Sequence, residues 1–126
     1  DGSHTAWTPN AGARWQAVDD VPADDDTTFI SDATSTHRNN FTMAAFGVTG
    51  LVRAVAVAIM GRKDDAGTRQ VRASLRSGGT DHDAPGVIDL VTAYAGHQRI
   101  WVVDPDTAVA FDAGDLDGIE VGVVTV

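Results

Sequence analysis

Apolar residues recur along this chain at spacings typical of β-strands, and the longest such run extends from Leu51 to Met60. Only Arg53 interrupts it, and glycines at positions 50 and 61 bound it. Large aliphatic side chains fall on one face of the predicted strand and alanines on the other, because successive residues of a strand point to opposite faces. Since both faces are apolar, we expect this strand to lie in the centre of a sheet.

A second run alternates strictly between apolar and polar positions, as expected of a strand with one buried and one solvated face. Val71, Ala73 and Leu75 alternate with polar residues over positions 70–76. The segment Arg62–Arg69 joins the two runs, and its Asp64-Asp65-Ala66-Gly67 core has the composition of a turn. We therefore predict a charged hairpin here, and no chemistry follows from this loop alone.

Shorter strand candidates occupy much of the remaining chain and lie at residues 14–18, 27–31, 41–46, 87–94, 100–103 and 119–126. The segments 87–94 and 100–103 are predicted to form a second hairpin through Gly96. A loop rich in glycine and proline is expected at 77–86, and a tight turn at Asp104-Pro105-Asp106-Thr107. Residues 112–117 can form a single helical turn capped by Asp112.

Many short strands separated by turns, with one helical candidate, are typical of an all-β fold. We expect a single antiparallel β-sandwich, jelly-roll-like, with at most one short helix near the C-terminus. The length fits one domain over residues 1–126, and that domain can be the C-terminal part of a longer chain.

The amino-acid composition argues against several classes of function. The net charge of −9 and the near absence of lysine argue against binding to nucleic acid phosphates. Without cysteine there is no disulfide framework, no thiolate catalysis and no cysteine-bound zinc. No apolar segment approaches the length that spans a bilayer, so membrane insertion is not expected.

Candidate chemistry is sparse. Ser77, Asp81, His82 and Asp83 supply the residue types of a hydrolase triad but lack a nucleophile elbow. Glu120 has no evident partner carboxylate for glycoside hydrolysis. The chain has no glycine-rich phosphate loop, and its histidines lack metalloprotease spacing; they are His4, His37, His82 and His97. We predict no catalytic, cofactor-binding or metal-ligating residue and no cofactor.

Aspartates offer the strongest alternative, since calcium prefers carboxylate oxygens. Three groups could supply them: Asp24–Asp26, Asp104 with Asp106, and Asp112 with Asp115 and Asp117. None matches an EF-hand loop, so solvated charge, Asx turns and a helix cap are favoured. Likewise, an aromatic platform for sugars is conceivable from Trp7, Trp15, Tyr94 and Trp101, but core packing is the preferred interpretation.

Six segments, in order, resemble a family of tailed-phage and prophage virion proteins, and together they cover nearly the whole chain. The most specific is Lys63-Asp64-Asp65-Ala66-Gly67-Thr68-Arg69. Two departures from the family pattern are Ala108, where glycine is expected, and Phe111, where tryptophan is expected. The six segments are residues 15–19, 25–31, 62–69, 75–78, 104–107 and 116–123.

The resemblance implies a non-enzymatic β-sandwich on the virion surface, serving as a capsid decoration, head-fibre or tail-appendage domain. Its implied partners are the major capsid protein or other particle components and further copies of itself in a homo-oligomer. It carries over no catalytic residues. The alternative is an adhesion module for host-surface glycans, and an enzyme such as a depolymerase fragment is the least favoured class.

Overall fold

The computed structural model describes every residue from Asp1 to Val126 and confirms the all-β class. Every strand pairing is antiparallel. No helix in it is long and apolar enough to cross a membrane. The strands are β1 (Thr8–Pro9), β2 (Ile30–Ser31), β3 (Arg38–Thr42), β4 (Val55–Gly61), β5 (Gln70–Ser77), β6 (Thr80–Asp83), β7 (Ile88–Asp89), β8 (Ala95–Trp101) and β9 (Glu120–Thr125), and 3₁₀ helices span Arg14–Ala17 and Asp115–Gly118.

The larger sheet has the order β3-β9-β5-β6, with β7 also pairing with β5. The alternation of β5 is confirmed, because Val71, Ala73 and Leu75 are buried on its inner face. Their neighbours across the ladder include Val121 and Val123 of β9, which extend the same apolar face. The opposite face is polar and carries arginine, aspartate and asparagine.

A second layer, the two-stranded sheet β4-β8, packs on this inner face. Val57 of β4 contacts Ala73 of β5 and Ala84, with Trp101 of β8 beside them. Phe111 and Leu75 form a neighbouring cluster with Leu116, which the 3₁₀ helix at Asp115–Gly118 directs inward. The predicted helical turn near the C-terminus is thus confirmed as a short 3₁₀ helix, but it begins at Asp115, and Gly114 instead of Asp112 occupies its N-cap.

The predicted hairpin around Arg62–Arg69 is wrong. The second flanking strand is correctly located, whereas the first, predicted from Leu51, begins only at Val55. The two do not pair with each other, because β4 pairs with β8, whereas β5 pairs with β6, β7 and β9. The loop therefore crosses from one layer to the other. The second predicted hairpin is wrong for the same reason, since β7 belongs to β5 and β8 to β4.

The tight hairpin of the larger sheet lies instead at Ser77-Gly78-Gly79-Thr80, inside the predicted loop. Gly78 and Gly79 have φ angles of +56° and +81°. A two-residue turn with both φ values positive matches the right-handed twist of the flanking strands, and glycine adopts it without a Cβ clash. This turn folds β6 back onto β5.

Three further predictions need correction. Residues 14–17 form a 3₁₀ helix instead of a strand, and the Gln16 side chain accepts a hydrogen bond from the Ala13 backbone N–H at 3.0 Å. The candidate strand at 41–46 ends at Thr42. The strand β4 is not central, because β8 is its only partner and its alanine-bearing face is exposed.

Candidate functional site

The four residues with triad chemistry lie on or beside the β5-β6 hairpin without forming a triad. Asp81 and Asp83 project from the polar face of the sheet, whereas His82 pairs with the inward-facing Leu75. Ser77 is buried on the inner face of β5. The acid nearest to the His82 ring is Asp106, at 3.9 Å. No serine therefore has a histidine base within hydrogen-bond distance.

Asp81 and Asp83 instead join an ion-pair network on the polar face of the larger sheet. Arg38 of β3 contacts Asp83 at 2.6 Å and also donates to Ser74. The Asp81 carboxylate lies 3.1 Å from the Arg76 guanidinium and 2.8 Å from Nε2 of His4. Burial by itself would raise the pKa of Asp81, but the hydrogen bonds and the Arg38 charge outweigh burial and hold it below its usual value.

The N-terminal segment lies across this network and along the edge of β3. The Gly2 N–H donates to the carbonyl of Asn40 at 2.8 Å, and the Asn40 N–H donates to the carbonyl of His4 at 2.9 Å. Glu120, which had no evident partner in the sequence, accepts hydrogen bonds from the backbone and hydroxyl of Ser3, both at 2.8 Å. Residues of the chain itself thus cover the outer edge of β3.

The aspartates proposed as calcium ligands do not gather around a common point, and several of them accept hydrogen bonds from nearby donors. Asp24 accepts from Thr28, and Asp112 and Asp115 accept from each other's backbone N–H groups. Asp104 accepts from the Asp106 backbone and the Thr107 hydroxyl, which confirms the predicted turn. No group of three or more histidine, aspartate or glutamate side chains comes together as a metal site.

The histidines and aromatic residues are similarly dispersed. His37 pairs with Asp32 at 2.9 Å, and the His97 ring lies among strand residues with its Nε2 buried. Trp7 donates to the backbone of His37 and packs at one end of the core, and Trp101 packs between the layers. Trp15 alone among the tryptophans is largely exposed, at 51%. No aromatic platform forms.

The Lys63–Arg69 segment is a loop that is held in shape by contacts between its own residues. Arg69 pairs with Asp65 at 2.6 Å, and the Gly67 N–H donates to the same carboxylate at 3.0 Å. The Lys63 ammonium donates to the Gly67 carbonyl. Just before the loop, the Arg62 guanidinium lies 2.7 Å from the Asp26 carboxylate. This ion pair connects the segment that crosses between the layers to residues 19–28, here called the acidic loop.

Tyr94 completes this last contact. Its hydroxyl donates to Asp26 at 2.9 Å, and the Arg62 guanidinium lies 5.4 Å from the centre of its ring. The hydrogen bond from Arg62, followed by that from Tyr94, lowers the pKa of Asp26. Of the charged residues from Arg62 to Arg69, all but Asp64 therefore take part in contacts that hold this loop in place.

One side of the molecule exposes a continuous apolar surface. Residues 43–54, here called the arm, follow β3 without regular structure, and their backbone makes no hydrogen bond to the rest of the chain. Between the arm and the unpaired edge of β4 runs a groove of about 540 Å³. All thirteen residues that line it are apolar; they include Phe46, Val48, Leu51, residues 54–58, Leu116, Ile119 and Val121.

The apolar surface continues from the groove onto the outward face of the β4-β8 sheet. Ala56, Ala58 and Met60 are exposed there and face Ile100, Gln98 and Gly96 across the ladder. We call the arm, the free edge of β4 and this outward face the apolar band. None of the 18 acidic residues lies in the two segments that form it, residues 33–63 and 90–103.

Sequence reasoning did not identify this band. The two apolar faces of β4 led to the prediction of a central strand, although the same pattern also fits an edge strand that another polypeptide covers. The available signal was the long acid-free segment in an otherwise strongly acidic chain. Comparison with protein-family models, with curated proteins and with solved structures finds no match for this chain.

Proposed function

We propose that this chain is a non-enzymatic structural domain of a tailed-phage particle, carried on the virion surface as a capsid decoration or head-fibre domain. The observation that carries the proposal is the groove beside β4, whose lining contains no polar residue. Enzyme and small-ligand sites combine apolar walls with a few placed polar groups, whereas the cores of protein interfaces are depleted of charge. The groove therefore favours packing against polypeptide.

The arrangement of the charged residues supports the same function. The side chains with catalytic chemistry are engaged in ion pairs, as with Asp81 and Asp83, or in turn contacts, as with Asp104. Away from the band the surface is strongly acidic, which limits aggregation of a protein displayed in many copies. Symmetric display also multiplies weak contacts into firm attachment. The resemblance of the Lys63–Arg69 segment to virion proteins supplies the biological setting.

The test is reconstitution on capsids that lack the domain. The purified chain is mixed with such capsids, and the particles are imaged by cryo-electron microscopy. We expect density at regular lattice positions with a fixed number of copies per capsomer. Capsids that remain bare at saturating protein would refute attachment to the head.

One observation favours the second candidate, a tail-appendage or glycan-binding module for the host surface. Trp15 exposes half of its surface on a short 3₁₀ helix, where an indole can stack on a sugar ring. For this function we expect the fluorescently labelled domain to bind host cells and Trp15→Ala to abolish that binding. Val109→Ala, at another exposed apolar residue, is the matched control.

A further inference from the structure

We infer that the apolar band is the interface between two copies of this chain, which pair antiparallel through the free edges of their β4 strands. The inference does not depend on the virion role, since it concerns only how the chain associates with itself. The two copies would form one continuous sheet with the strand order β8-β4-β4-β8.

The edge of β4 lacks the features that keep exposed strand edges apart. Such edges usually carry charges, prolines or bulges, or are covered by another part of the chain. The edge of β3 is covered in this way by residues 2–6. From Ala54 to Gly61, by contrast, there is no charge and no proline, and only β8 pairs with the strand. An edge of this kind suits pairing with another strand.

The band exposes a large apolar area. Phe46, Val48, Leu51, Met60 and Ile100 are each about half exposed or more, and Leu51 reaches 67%. Together these five residues leave on the order of 500 Å² of apolar area, which is in the upper part of the range for the largest patch on a monomer and often marks an interaction site. Residues of the groove and of the β4 edge would be buried by the pairing, whereas Ile100, on the outward face of β8, would stay exposed.

The sequence of β4 indicates that the partner is another copy. Antiparallel pairing about a two-fold axis at Val57 places Val55 opposite Ile59 and Ala56 opposite Ala58. From Val55 to Ile59 the inward face then receives only large aliphatic side chains and the outward face only alanines, so this part of the strand is complementary to itself. A two-fold interface requires this self-complementarity.

Charge and backbone freedom are compatible with this pairing. Two copies with a net charge of −9 repel each other over most of their surface, but the band contains no acidic residue. The arm, which forms the far wall of the groove, has no backbone hydrogen bonds to break when a strand enters beside it. The band is thus the surface on which two copies approach with the least electrostatic cost.

The test is a charge-swap experiment on the 126-residue chain by sedimentation velocity and light scattering over a range of concentrations. We expect the wild-type chain to approach twice its 13.2 kDa mass as concentration rises. The double variant Ala56→Lys/Ala58→Lys should be monomeric, as should Ala56→Glu/Ala58→Glu, because like charges face each other across the axis. An equimolar mixture of the two variants should recover the dimer.

Val109→Glu is the control, because this exposed residue lies outside the band; its dimer should persist. Circular dichroism of each variant verifies the fold. The inference is overturned if the wild-type chain stays monomeric, if the charged variants still dimerise, or if their mixture does not associate. A monomeric chain whose lysine variant fails to bind capsids would assign the band to the particle instead, and would leave the proposed virion role standing.

Discussion

The side chain of Asn40 on β3 lies over Gly122, its partner on β9, so that a Cβ atom at position 122 would collide with the Asn40 amide oxygen and the Asn39 carbonyl. Both asparagines are completely buried. The Asn40 amide reaches on to Asp81 at 3.2 Å, which ties β3 to the ion-pair network of β6. A glycine in the interior of a strand usually weakens it, but here the space it leaves accommodates a neighbouring strand's side chain.

Gly122→Ala should therefore destabilise the protein by about 1–3 kcal/mol, since an added methyl group has no space to enter. The free energy of unfolding in urea measures the effect. Gly118→Ala is the matched control, because a Cβ there meets nothing within 4 Å, and its change should stay within about 0.5 kcal/mol. Equal losses at the two positions would show that the Asn40 contact does not explain the glycine.

Alanine substitutions at the two hairpin glycines should distinguish the cost of backbone strain from the cost of a steric collision. At Gly79 the φ of +81° strains any L-residue, yet nothing lies near a Cβ; we expect Gly79→Ala to cost about 1–2 kcal/mol. Gly79→Asn should cost less, because asparagine tolerates the left-handed region. Gly78→Ala should cost more than Gly79→Ala, since its Cβ would also collide with Asp106. Urea midpoints in the reverse order would contradict this account of the turn.

The hairpin also shows why local structure was easier to predict than pairing. The alternation of β5 located that strand to within a residue at each end, because one of its faces is buried. Its true partner β6, Thr80–Asp83, contains no apolar residue, so it could not be distinguished from the loop around it. Turn residues at 64–67 therefore suggested a hairpin, although this loop is held by the ion pair between Asp65 and Arg69 and crosses between the layers.

The site was harder to predict than the fold for a related reason. Asp81 and Asp83 flank His82 in sequence, but successive residues of a strand face opposite sides, so both carboxylates lie on the polar face and His82 on the other. Conversely, the apolar band joins the arm to Ile100 through the ladder between β4 and β8. That pairing depends on contacts between distant parts of the chain, which hydrophobic periodicity does not encode.

Loss of the Arg62 side chain should increase the mobility of the acidic loop, residues 19–28, but should change the free energy of unfolding of the whole protein very little. Arg62→Ala removes the hydrogen bonds to Asp26 and the contact with the Tyr94 ring. Because Asp26 is well exposed, the pair adds little to the free energy of unfolding. We expect faster amide hydrogen exchange in residues 19–28 with a nearly unchanged urea midpoint. Arg53→Ala, at an arginine without an ion-pair partner, should alter neither quantity; identical exchange in the two variants would exclude the anchoring role of Arg62.

Acid should weaken the attachment of the N-terminal segment and, with it, the fold. Burial would raise the pKa values of Asp81 and Glu120, but the hydrogen bonds from Arg76 and His4 to Asp81 and from Ser3 to Glu120 lower both overall. A carboxylate with a lowered pKa in the folded state stabilises the protein above its unfolded value, about 4 for these groups, and loses that contribution as pH falls below it.

Urea midpoints should therefore be steady from about pH 7 to pH 5 and decline below about pH 4. Asp81→Asn should cost about 1–2 kcal/mol at neutral pH, between the values typical of exposed and buried ion pairs, and should flatten the acid decline. Asp64→Asn, at an exposed aspartate without a hydrogen-bond partner, should reproduce the wild-type profile. If Asp81→Asn retains the full acid dependence, the network around Asp81 is not what holds the N-terminal segment against β3 and β9.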